Sequence, residues 1–163
     1  MKKLLENFSK VAIGFVMAVF SAVLSAVPFE RMLFDSSNAQ NSNKYWSTVL
    51  MLNQWVRLKN QNKSLSEYFV EKGYKKIAIY GMAHTGLVFQ EEMDDSEIEI
   101  LYGIDRNADS IYSDIKVKKP SEDLDAVDAI VVTPVYYFES IKKDLENKVH
   151  CPIISLEEVV YYI

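Results

Sequence analysis

Six residues, Gly81-Met82-Ala83-His84-Thr85-Gly86, have the types and spacing to hold a phosphate. They follow the apolar run Ile77-Ala78-Ile79-Tyr80 and open a helical pattern. A strand–turn–helix junction of this kind aims unpaired backbone N–H groups at an anion. Gly81 serves the tight turn and Gly86 the close approach of helix to strand. Ala83 stands where the dinucleotide pattern has its middle glycine, and its methyl crowds a pyrophosphate. His84 suits donation to a phosphate or work as a general acid. Thr85 offers a hydroxyl at the helix start. About twenty residues on, a second apolar run ends in Asp105, an acid suited to ribose hydroxyls. Arg106 beside it would favour a phosphorylated ribose, so NAD and NADP both stay open. Thr133, Pro134 and Tyr136 end a further strand on the side where open α/β sheets bind ligands, and they complete the expected binding set. Purely structural readings stand beside these: Asp105-Arg106-Asn107 is good turn chemistry, and Pro134 fits the first turn of a helix.

No residue set carries a reaction. His150-Cys151 pairs a base with a thiol, but neighbours on an extended chain point to opposite faces. The acids Glu91, Glu92, Asp94 and Asp95 read as a solvated helix end with no metal-ligand spacing. There is no Ser-His-Asp order, no Gly-Lys-Ser/Thr phosphate loop and no paired-carboxylate motif. No residue is assigned to catalysis or to a metal. Whether the protein is an enzyme stays open; any chemistry would be NAD(P)-linked or would act on a nucleotide sugar.

The elements that must position these residues alternate from Tyr74 onward. Strands are predicted at 77–80, 98–104, 115–117, 129–133 and 152–154. Helices are predicted at 85–93, 135–147 and from Ser155 through Tyr161. Alternation of this kind implies an α/β, Rossmann-like, doubly wound parallel sheet of about five strands in the order 3-2-1-4-5. The strand at Ile77 is then central and the crevice opens beside it. Ahead of the sheet, Tyr45–Leu58 reads as a helix that buries Tyr45, Val49, Leu52 and Val56, with Trp46 and Leu50 broadening the stripe. Ser64-Leu65-Ser66-Glu67 is a capping box for a second helix that stops at Gly73. The domain reading is an apolar N-terminal helix at 1–34, a polar linker at 35–44, a helical cap at 45–73 and the nucleotide-binding domain at 74–163.

Residues 11–27 carry no charge and follow Lys2, Lys3 and Lys10. As a helix they would span roughly 26 Å, a little short of a bilayer's hydrocarbon core. Gly14, Ala18, Ala22 and Ala26 form a stripe of small residues that admits another helix. A membrane helix, a helix buried in protein and a cleaved signal peptide all remain open. The leading lysines would place the N-terminus inside and send a single-pass domain outside, whereas nucleotide binding belongs inside. The expectation is therefore a cytoplasmic protein whose first segment inserts at the membrane interface or packs in protein.

Composition narrows the partners. The chain has 163 residues, 49% hydrophobic and 25% charged, which excludes global disorder. Its net charge of −5 argues against an electrostatic nucleic-acid binder. The single Cys151 excludes an internal disulfide framework.

The stretches 76–81, 105–107 and 128–134 resemble the small Rossmann-like domains of bacterial surface-polysaccharide and sugar-modifying proteins. Such segments occur at the C-terminus of sugar C-methyltransferases and the N-terminus of sugar acyltransferases. The likeness covers about residues 74–160. It implies a nucleotide or nucleotide-linked sugar held at the 81–86 turn and at Asp105, in a domain accessory to a separate catalytic one. The expected partners are a small nucleotide ligand, a partner enzyme, the membrane through 11–27 and a second copy of the chain. The competing expectation is a non-catalytic scaffold in which the Rossmann-like domain is empty and the N-terminal helices mediate assembly.

Overall fold

The computed structural model describes the backbone of residues 29–163 and the side chains from residue 42 onward. The apolar segment 11–27 and its small-residue stripe lie outside the described residues. The chain divides into two compact units, Met1–Asn43 and Lys44–Ile163.

The second unit is built on five parallel strands: β1 (Lys76–Tyr80), β2 (Glu99–Ile104), β3 (Val117–Lys118), β4 (Ala129–Val132) and β5 (Ile153–Ser155). Their order is β3-β2-β1-β4-β5, as the alternating pattern implies. β1 pairs with β2 on one side and β4 on the other, with Tyr80 opposite Ile104 and Val132. Side chains on successive strand residues point to opposite faces, so each central strand feeds two cores. Ile77, Ile79 and Val131 enter one core, and Ala78, Tyr80, Ile130 and Val132 enter the other.

Helix α1 (Phe29–Asn60), α2 (Ser66–Lys72), α3 (His84–Asp94) and α5 (Leu156–Tyr162) supply the first core. Among the described side chains of α1, Met51, Trp55 and Leu58 are buried, and Trp55 meets Phe89 of α3 edge-on with ring centroids 6.4 Å apart. Helix α4 (Phe138–Leu145) covers the second face through Ile141 and Leu145. A single 3₁₀ turn, Val135–Tyr137, precedes it where the sequence pattern had continuous helix.

Two sequence expectations fail in α1. Residues 35–44 are helix, not a linker. Serine and asparagine each cost a helix only a few tenths of a kcal/mol, and no glycine or proline lies between 29 and 60 to stop propagation. The burial stripe is also misplaced: Tyr45, Trp46, Val49, Leu50, Leu52 and Val56 are exposed. The helix is apolar on more than one face, and the domain takes the face with the larger Trp55 and Met51. At the start of α2 the Glu67 carboxylate accepts from the Ser64 N–H at 3.0 Å, completing half of the capping box. Gly73 ends α2 at φ +75°.

Among the described residues no helix is long and apolar enough to cross a membrane.

Candidate functional site

The C-terminal end of β1 is held by β4. The Thr133 N–H donates to the Tyr80 carbonyl at 3.0 Å, and the Thr133 hydroxyl donates to the Gly81 carbonyl at 2.6 Å. Gly81 turns the chain at φ +93°, a conformation that side chains disfavour. A Cβ there would lie 2.7 Å from the Pro134 ring and 2.8 Å from the Thr133 hydroxyl. A Cβ on Gly86 would lie 2.1 Å from the Gly81 carbonyl oxygen. Both glycines are thus demanded by packing, and Thr133 and Pro134 act on Gly81, not on open space. Thr133 is buried and its hydroxyl is occupied.

The middle of the turn divides by exposure. Met82 is buried, and its thioether packs on Gly103 of β2. Its N–H donates to the Asp105 carboxylate at 2.9 Å. The other Asp105 oxygen accepts from the Asn107 N–H at 2.9 Å. Asp105 therefore secures the turn after β1 to the turn after β2. A carboxylate has about four acceptor positions, so capacity remains for a hydroxyl. Ala83 and His84 are exposed and Thr85 is half-buried. Ala83 occupies the N-cap with no side-chain hydrogen bond, leaving the first N–H groups of α3 without a cap from that position.

On the α4 side of the sheet lies a groove of about 540 Å³. It is lined by Tyr80, Arg106, Lys119, Ser121, Asp144 and Lys148, together with Pro120 and Leu145. Three cations meet one carboxylate there, in a chain whose net charge is −5. Tyr80 ends β1, Arg106 follows β2 and Lys119 follows β3. Asp144 belongs to α4 and Lys148 lies just past it. The Tyr80 phenol beside Arg106 raises the guanidinium's pKa further, keeping it charged. Lys119 pairs with Asp109, and Lys148 donates to the Pro120 carbonyl at 2.9 Å. In a parallel sheet of this order the chain leaves β1 and β4 toward opposite faces, and the crevice opens at this edge.

The sequence-predicted residues thus separate. Ala83, His84 and Thr85 are accessible at the turn, and Arg106 lines the groove. Gly81, Met82, Gly86, Thr133 and Pro134 build the turn itself. Tyr136 is not in the groove. It stacks edge-on against Tyr137 and lines a separate depression with Glu139, Glu157 and Glu158, an acidic surrounding that disfavours an anion. Tyr80, Lys119, Asp144 and Lys148 were missed. They lie between positions 80 and 148 and share no motif; only their placement at or just past the ends of strands and α4 unites them. His150 and Cys151 line a small pocket of about 210 Å³, and burial pushes the thiol's pKa up, away from a reactive thiolate.

The sheet order and the crevice at its C-terminal edge define an α/β module of Rossmann-like architecture. No protein-family model, curated protein or solved structure matches the chain.

Proposed function

We propose that this chain is a ligand-binding Rossmann-like module that holds a phosphorylated small molecule, a nucleotide or nucleotide-linked sugar, and serves cell-surface sugar metabolism beside a partner enzyme in the cytoplasm. The observation that carries the reading is the convergence of Arg106, Lys119 and Lys148 on one groove at the end of the central strand. Cations on an acidic protein are well used where they recognise phosphate, and guanidinium groups bind it bidentately. The start of α3 at His84 and Thr85, where Ala83 gives no side-chain cap, offers N–H donors of the same sign at the same sheet edge, outside the groove's own lining. Asp105 has acceptor capacity for a ribose hydroxyl.

The test is a melting-shift screen against NAD, NADP, nucleotide sugars, S-adenosylmethionine and coenzyme A. A ligand at a hundred times its dissociation constant stabilises the fold by about 2.7 kcal/mol. Arg106→Ala and Lys148→Ala are expected to weaken binding at least tenfold each, since a charged hydrogen bond is worth about 1.5–3 kcal/mol. No shift from any compound, or equal shifts in wild type and both variants, rejects the reading.

A further inference from the structure

The exposed face of α1 points to a second, separate function. We propose that two copies of this chain pair through α1, antiparallel and about a two-fold axis. The inference does not depend on the ligand reading.

Tyr45, Val49, Leu52 and Val56 recur at spacings of four, three and four, the spacing of a helix–helix seam. All four are exposed, Tyr45 at 64% and Val56 at 59%. With Trp46 and Val88 they offer on the order of 700 Å² of surface, close to what one partner contributes to a stable interface. Monomers rarely expose a contiguous apolar patch of this size.

The patch is self-complementary. Its C-terminal half forms one wall of a groove of about 620 Å³, in which Leu52 and Val56 face Val88 of α3. Glu91, Glu92 and Asp95 rim that groove. Glu92 is already paired, accepting from Lys59 at 2.9 Å, whereas Glu91 and Asp95 have no ion pair among the described residues. The N-terminal half ends in the protruding Tyr45 and carries Lys44, whose ammonium lies 5.1 Å from the Tyr137 ring centroid. Antiparallel pairing lays Tyr45 of each copy into the groove of the other. It also brings Lys44 of each copy to the other's Glu91 and Asp95. Parallel pairing would leave each Lys44 at the end of the seam away from both acidic rims. Knob and groove at opposite ends of one helix close in a two-fold pair, so the assembly stops at two.

Sedimentation velocity on the full chain in a mild detergent, over a range of micromolar concentrations, tests the proposal. Wild type is expected at twice the chain mass. Val49→Glu and Leu52→Glu are expected at the mass of one chain, with melting temperatures and circular dichroism like the wild type's. Lys44→Glu should weaken the pair, and adding Glu91→Lys should restore it. A wild-type monomer throughout, an assembly that both Val49→Glu and Leu52→Glu leave intact, or one that keeps growing with concentration overturns the proposal. Failure of the charge swap to restore a pair that Lys44→Glu weakens overturns the antiparallel geometry.

Discussion

At Gly81 the tight turn expected from the sequence is enforced by packing. Its positive φ and the 2.7 Å approach of Pro134 leave no room for a side chain. Gly81→Ala is expected to cost about 2–5 kcal/mol, adding backbone strain to overpacking. Urea denaturation should show the loss without any ligand present. A Gly81 variant is therefore a poor probe of binding, and exposed Arg106 is a better one. Asp128 offers a second test at this scale. One of its oxygens accepts from the Lys76 and Lys75 N–H groups, each at 2.8 Å, at the start of β1. Those two bonds, the Lys76 one first, hold its carboxyl below the usual aspartate value of 3.8. A depressed folded-state pKa stabilises the fold above the ordinary aspartate range, and the benefit is lost as pH falls through the lower value. Wild type should thus exceed Asp128→Asn in urea midpoint at pH 6, and the gap should close below about pH 4.

Among the elements, α1 divides its work between faces. Trp55 is buried against Phe89, so Trp55→Ala should cost about 3–5 kcal/mol in a chemical melt. The three-residue step to Leu52 crosses to the exposed seam, where truncation has no such core to disrupt. The short β3 is secured differently. Lys118 is buried, lies 4.9 Å from the Tyr102 ring centroid and donates to the Asp125 carboxylate at 2.6 Å and the Asp123 carbonyl at 2.9 Å. The Tyr102 hydroxyl donates to the Asp125 carbonyl at 2.7 Å, and burial of that phenol pushes its pKa up to about 12. These bonds shape the crossover from β3 to β4 that carries Lys119 and Ser121 into the groove.

For the molecule as a whole, net acidity and a local cationic groove coexist. Long-range repulsion between the chain and an anionic ligand is screened beyond about 8 Å at physiological salt, so net acidity does not oppose the proposed binding at the groove. If residues 11–27 associate with a membrane, full-length chain will partition with the membrane fraction and residues 35–163 with the supernatant. Full-length chain wholly in the supernatant excludes the anchor.

How far the sequence reaches depends on the range of the interaction. Strand order was legible because β-branched runs alternate with helical periods, and parallel sheets allow few ways to connect them. The turn at Gly81 was legible because its backbone demands are local. The groove was not, because Tyr80, Arg106, Lys119 and Lys148 come together only when three strand ends and α4 meet. The exposed face of α1 was not legible either. Periodicity reveals that a helix has an apolar side but not which of two such sides the domain will take, and that choice belongs to the shape of the core formed by Phe69, Phe89 and the sheet. The sequence by itself determined the α/β class, the strand order and the tight turn after β1. Only the tertiary structure decided that Thr133, Pro134 and Met82 build the turn while distant cations line the crevice, because side-chain exposure is set by contacts between segments far apart in the chain.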